Sequence, residues 1–496
     1  MTFKMPEIVR AGWLLDQRIN ERGVFVDPVL LDSAMCMAVR AKQELFAEIR
    51  KLTGIDNPAS NPQMMAWLRM HGYPFQSLEK SWVARALKEG VPEAVKRVLA
   101  LRSDAARTSD SKLTAIRNTA SADGRLRYLF NYLGASRAGR WTSHTVQFQN
   151  LPKPLFEDKD GSRIQLAREL VRSGNYDAVQ QKFGSPVNAL VSIIRTVFCA
   201  PEGSRLLIVD LSAIEARMLG WLSNCETMLE AFRAGRDIYT EFAAAVLGVP
   251  ADQLPKEYRN KFGKPGILGS GYGQGPGAEV VDSKSGQLIK TGMWGFAERQ
   301  GITLHLEEAQ KIVATYRQKY PEVPQLWRDY EEGMRWCMET GATVTMHKVT
   351  FRRFGTVKPT VQIELPSTRC LHYVNCHMGT KTRDDGQGNV WQSEVIHYDG
   401  VHQKTRTWGA IDTWGVKLTE NFDQAISRDV LVEGMFRAEQ AGFSIVAHCH
   451  DELICEVPDD SHLGKEELVE CMVTPPEWAP DLPLAAEAES SQFYKK

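Results

Sequence analysis

Two acidic stretches, far apart in the chain, carry side chains suited to holding a cation. Arg205 to Val209 is a short apolar run of strand length that ends on Asp210. From Ser212 onward Ile214, Met218, Leu219 and Trp221 recur at helical spacing. A strand that delivers a carboxylate to its end and turns straight into a helix is a common way to present a metal ligand. The second stretch is Phe443 to Val457, where two apolar strand-like runs flank His450-Asp451-Glu452, a hairpin pattern with carboxylates at its tip. Taken singly, an apolar strand ending in Asp is more simply a strand meeting a turn. In a third stretch Lys264, Leu268 and Tyr272 are spaced by four. A helix there would line up a cation, an apolar surface and an aromatic ring toward one bound molecule. Gly263, Pro265, Gly266, Gly269 and Gly271 weaken that helix, and a glycine-rich loop is the competing reading.

In order and separation these stretches resemble motifs A, B and C of the family A DNA polymerases. Motif A is matched by Asp210-Leu211-Ser212-Ala213-Ile214-Glu215-Ala216-Arg217, motif B by Lys264 to Gly273, and motif C by His450-Asp451-Glu452. The resemblance spans nearly the whole chain, and bacteriophage-type members are nearest in pattern. It implies an α+β fold with right-hand polymerase architecture: a palm built on an antiparallel sheet, with helical fingers and thumb. On that pattern residues 1–27 pack on the palm, 28–122 form the thumb, and 123–225 form the first part of the palm. Residues 226–400 form the fingers, and 401–496 complete the palm.

The chemistry implied is template-directed addition of deoxynucleotides to a primer 3′-hydroxyl by two-metal-ion nucleotidyl transfer. Two Mg²⁺ ions, replaceable by Mn²⁺, require oxygen ligands, and shared carboxylates fit them. The resemblance assigns these to Asp210 and Asp451 with the Leu211 carbonyl, and sets Glu452 just behind. Lys264 would neutralise the triphosphate, with Leu268 against base and sugar and Tyr272 near the templating base. Glu215 matches the position that blocks a ribose 2′-hydroxyl. Arg140 matches an Arg that reaches the minor groove at the primer end, with Gln149 and Asn150 as neighbours. Minor-groove acceptors lie in similar places in every correct pair, so one Arg can test pairing without reading sequence. A loop Arg on phosphate or solvent is the plainer reading. Gln424 would lie against the minor groove, Asn421 and Arg428 share its helix face, and His450 would touch the primer terminus.

Four departures stand out. Asn260 occupies a position where relatives carry Arg, leaving Arg259 or Lys261 to supply the phosphate contact. Leu268 stands where many have Phe or Tyr. Tyr239 replaces a His that contacts phosphate, and Leu365-Pro366-Ser367-Thr368-Arg369 has Thr for a Gly.

The elements needed to hold these groups fit within 496 residues, enough for two to four subdomains. Hydrophobic residues make up 43% and charged residues 24%, ordinary for a globular protein. The net charge of −1 gives no global argument for a polyanionic partner. A basic segment from Leu101 to Arg140 reads either as a phosphate track or as a solvated helix face. Nine cysteines without a CxxC pair suggest reduced thiols in a cytoplasmic compartment, that of a bacterial host if the chain is phage-encoded. No apolar run reaches membrane-spanning length. No Asp-x-Glu signature of a proofreading exonuclease precedes Asp210, so a separate exonuclease or a processivity factor would be a partner to a monomer working on primer–template DNA and deoxynucleotides. Two other readings are a single-subunit RNA polymerase relative and a catalytically inactive primer–template-binding replication protein. The Glu at 215 argues against the first, and the intact Asp210, Lys264, Tyr272 and Asp451 against the second.

Overall fold

A computed structural model describes residues 5–88, 90–107, 110–156, 158, 160–281, 288–384, 390–403 and 405–495. The N-terminal helix Glu7–Arg22 stops at Gly23, whose φ of +66° allows the chain to reverse into the strand Val24–Phe25. That strand pairs with Arg125–Leu126. The helix Pro28–Thr53 is capped by Asp27, which accepts from the Leu30 N–H at 3.0 Å, and it ends at a left-handed Gly54. Against its far end pack Asn61–Met70, Lys80–Lys88 and Glu93–Ala106, around a small separate core of Ile49, Met64, Trp67, Val95 and Leu99.

The carboxylate-bearing sheet has four antiparallel strands in the order Ser444–Cys449, Glu452–Pro458, Ser204–Leu211, Ala486–Ser491. Ser204–Leu211, one of its two inner strands, is apolar from Leu206 to Val209 and buried there, as a strand flanked on both edges should be. The 26-residue helix Gly415–Gln440 and the helix Lys465–Val473 pack on each other beside this sheet.

A second sheet has six strands in simple antiparallel succession from Val344–Met346 to Trp408–Thr413. Phe351, Val361, Ile363, Tyr373, Ile396, Tyr398 and Ile411 lie on one face and are buried against Glu322–Thr340 and Gly415–Gln440. Alternate residues such as Arg352, His372, Lys381 and Trp408 point away, the period-two pattern of a sheet with one solvated face. The expected boundary at 400/401 falls inside this sheet, where Val401 pairs with Trp408. Among the described residues no helix is long and apolar enough to cross a membrane.

Candidate active site

The two acidic stretches meet edge to edge. Glu452 lies opposite Asp210 in the antiparallel register, and the Leu211 N–H donates to the Asp451 carbonyl at 3.1 Å. His450 takes a left-handed φ of +58°, so the chain reverses tightly between Cys449 and Glu452 and holds Asp451 at the bend. Asp210 and Asp451 are partly exposed, whereas Glu452 is buried. Glu452 lies beneath, beside the Tyr494 hydroxyl, which burial and this carboxylate together hold in its neutral form. Tyr494 stacks on Phe148 and receives a 3.3 Å hydrogen bond from Arg195. Among the described residues no three His, Cys, Asp or Glu side chains converge on one point. Two partly exposed carboxylates at one corner could hold a small hard cation that takes its remaining ligands from water or phosphate oxygens.

The Lys264 segment is a helix, Lys264–Gly271, despite its glycines. It is entered through a wide turn, Arg259–Gly263, in which the Lys264 N–H bonds back to the Arg259 carbonyl, and this accommodates Pro265 in the first turn. The glycines serve close packing. A Cβ at Gly263 would overlap the Tyr239 backbone, and one at Gly266 the Phe242 ring. Residues 265–267 and 269–271 are buried, while Lys264 is exposed and Leu268 and Tyr272 are partly so. The spacing of four is thus the helix's single open face. Burial, then repulsion from Arg259 and Lys153, lowers the pKa of Lys264, with Asp237 opposing. Arg259 is held to Asp237 at 2.5 Å and stands 5.0 Å from the Tyr239 ring centre. The Tyr239 hydroxyl is pushed up by burial, with Arg259 opposing and Asp237, Glu215 and Asp451 adding to the rise. Tyr239 therefore lies in the field of the cationic cluster and of both acidic stretches.

Glu215, in the first turn of Ile214–Ser223, accepts from Arg140 Nη1 at 3.2 Å. Facing them is a group that the sequence did not single out. The Asp423 carboxyl is wholly buried, and burial followed by Glu215 raises its pKa far above the carboxylate range; Tyr272, Ser427 and Arg140 work the other way. Glu420 is raised by burial and Glu215 against Lys417, Arg137 and Arg140.

The expected DNA-facing residues divide. Gln424 stays partly open on a stripe of Gly415–Gln440 that also carries Lys417 and Glu420, and its amide bonds Glu420 at 3.4 Å. Gln149 and Asn150 sit in the short turn Phe148–Asn150, whose Gln149 carbonyl lies 3.9 Å from Cys449 Sγ beside the carboxylate hairpin. His450 is exposed at the hairpin tip. Asn421 and Arg428 are buried instead. Asn421 donates to the Tyr373 hydroxyl at 3.0 Å. Arg428 bonds Asp429 at 3.2 Å, and its guanidinium lies 4.2 Å from the Trp141 ring centre and 4.8 Å from that of Tyr132. The six-stranded sheet covers Asn421 and the Tyr132–Trp141 loop covers Arg428, so neither shares the open stripe of Gln424.

A family model described as DNA polymerase family A matches residues 40–361. The DNA polymerase of Bacillus phage SP02 is 34% identical over 490 residues, covering 98% of this chain and 70% of that protein. The chain belongs to the family A DNA polymerases. It is a DNA-directed DNA polymerase of the phage type. The thermostable DNA polymerase I of Thermus aquaticus is 33% identical over 144 residues, which is 29% of this chain and 15% of that protein. Among solved structures, the POL domain of Pol1 from M. smegmatis, in complex with DNA primer-template and dNTP, has the same fold. It aligns with a TM-score of 0.60 at 19% identity, covering 97% of this chain and 70% of that one.

Sequence reasoning on this polymerase missed Lys153, Lys417, Glu420 and Asp423. Lys417, Glu420 and Gln424 do recur at helical spacing, a signal that could have been read. Nothing local links Lys153 to Lys264.

Proposed function

We propose that Asp210 and Asp451, with the Leu211 carbonyl, hold the divalent ions of nucleotide addition, Mg²⁺ with Mn²⁺ as substitute. The pairing of Asp210 with Glu452, with the Leu211 N–H on the Asp451 carbonyl, carries this reading, because it brings the two open carboxylates to one corner of one sheet. When bound, the ions supply charge that activates the primer 3′-hydroxyl and steadies the departing pyrophosphate. Lys264, in the positive field of Arg259 and Lys153, binds the incoming deoxynucleotide's triphosphate and offsets the charge that builds toward its leaving group. Leu268 packs against base and sugar, Tyr272 stands by the templating base, and Tyr239 adds a contact at the phosphates. Glu215 fills the space of a ribose 2′-hydroxyl. Arg140, oriented through its ion pair with Glu215, reads the minor groove at the primer end, with Gln149, Asn150 and Gln424 along the primer–template and His450 at the primer terminus. Glu452 supports the sheet corner from below. Residues 28–122 are read as the thumb, 226–400 as fingers, and the flanking parts as palm.

Primer extension with Mg²⁺ tests this, comparing deoxynucleotides with ribonucleotides and wild type with Asp451→Ala. Templated deoxynucleotide addition should fall by at least about a thousandfold in the variant, with duplex binding retained. A folded Asp451→Ala protein that still extends primers would remove Asp451 from the role, and efficient ribonucleotide addition by the wild type would favour RNA synthesis.

A further inference from the structure

The Arg140 turn is held by a buried charged cluster some 230 to 290 residues further along the chain, formed by Arg369 and, within the helix Gly415–Gln440, by Arg428 and Asp429. Arg369, in the Leu365–Arg369 turn, is 3% exposed and Asp429 is fully buried. Arg369 Nε donates to both Asp429 oxygens, at 2.7 and 3.1 Å. Its Nη1 donates to the Ala138 carbonyl at 3.2 Å and its Nη2 to the Ala425 carbonyl at 2.7 Å. Ser367 Oγ completes Asp429 at 2.5 Å.

Both neighbours of Arg140 rest on this cluster. Gly139 adopts φ +67°, and a Cβ there would lie 2.6 Å from Arg369 Nη1, so the backbone touches the guanidinium directly. On the other side Trp141 lies beneath Arg428, which shares Asp429, and its indole N–H is fixed to Asp16 at 2.9 Å. The Arg140 backbone is thus bracketed by two contacts that converge on one carboxylate. A guanidinium can satisfy Asp429, Ala138 and Ala425 at once because its donors form a rigid planar fork; an ammonium is a single point and cannot.

We propose that the Arg369–Asp429 pair is a positioning device for Arg140, setting where its guanidinium meets the primer end and so how well the polymerase separates paired from mispaired termini. This rests on the reading of Arg140 as the primer-end contact. Small displacements of a positioning group can reduce rates by as much as a hundredfold, so a change of fork to point donor should be measurable.

The test measures kcat/KM for extending a matched and a mismatched primer terminus, with thermal unfolding run in parallel, for wild type, Arg140→Ala, Arg369→Lys and the double variant. In Arg369→Lys the matched-to-mismatched ratio should shrink about tenfold, and in the Arg140→Ala background the same substitution should leave the ratio where Arg140→Ala alone puts it. A merely structural role would lower the unfolding temperature and both rates together, leaving the ratio at its wild-type value, and that result overturns the proposal. So does an equal loss of ratio with and without Arg140. If Arg369→Lys does not fold, Ser367→Ala keeps the fork and removes one hydroxyl from Asp429; it should shrink the ratio by about two- to threefold, and an unchanged ratio counts against the proposal. A wild-type ratio in Arg140→Ala itself would instead show that the primer-end reading of Arg140 is wrong, a failure separate from that of the pair.

Discussion

The helices Lys264–Gly271 and Gly415–Gln440 each keep one open stripe, yet they are buried by opposite means. The shorter one presents Lys264, Leu268 and Tyr272, and Gly266, Gly269 and Gly271 on its other faces let neighbouring side chains touch its backbone. The longer one presents Lys417, Glu420 and Gln424, and its other faces carry Asp423, Arg428 and Asp429 into the interior. A face can be aimed by removing side chains around it, or by tying charged ones down behind it. The first device is sensitive to added volume, and the second to a change of charge.

The largest test of the contrast is functional. Lys264→Ala should lower kcat/KM for the incoming nucleotide by about 10²–10³-fold, the loss typical of a removed charge-stabilising donor. Gln424→Ala, which would remove only the neutral DNA contact proposed above, should cost about tenfold or less, and equal losses in steady-state kinetics would erase the proposed division between a nucleotide face and a DNA face. Gly266→Ala should then destabilise the protein by about 1–3 kcal/mol through overpacking against Phe242, read as a lower urea midpoint. An unchanged midpoint would show that the helix has slack.

A pH series separates the two designs further. Asp423 keeps its proton when folded, because of burial and the Glu215 carboxylate, and loses it when unfolded. Between the ordinary carboxylate pKa and the raised folded value the native state binds more protons, so stability falls as pH rises through that window. Asp423→Asn has no proton to lose, so the wild type should lose more stability than the variant from pH 5 to pH 8 in denaturant titrations; parallel curves would mean that Asp423 is ionised when folded. The smallest effect concerns Thr368, which holds φ +66° in the turn that carries Arg369. Thr368→Gly should raise stability by about 1 kcal/mol or less, measured by thermal unfolding, because a β-branched residue is strained there.

The residues that sequence could place are those whose neighbours along the chain define them. Asp210 follows its apolar strand, His450-Asp451-Glu452 sits between two, and the spacing of Lys264, Leu268 and Tyr272 survives the unfavourable propensity of its glycines because tertiary packing overrides propensity. Gln424, Asn421 and Arg428 were read as one face, and only Gln424 is open. Helical spacing gives a side of the helix but not what covers it, and the cover comes from Tyr373, Tyr132 and Trp141 on other elements. The six-stranded sheet was not legible as a unit, since Cys370–Asp384 alternates too weakly to announce a long strand. Thr368 was visible as a departure from the family pattern; the left-handed backbone there accounts for the usual Gly, and nothing in the structure explains the Thr.

The inner strand Ser204–Leu211 has a consequence during synthesis of the protein. Both of its partners, Glu452–Pro458 and Ala486–Ser491, follow it by roughly 240 to 290 residues. At roughly 5–20 residues per second, the nascent chain carries the apolar run Leu206 to Val209 with two unpaired edges for on the order of 10–60 s. Such an edge is a template for pairing with other chains. The sheet corner that carries Asp210 and Asp451 therefore closes only after the chain has been made as far as its partner strands.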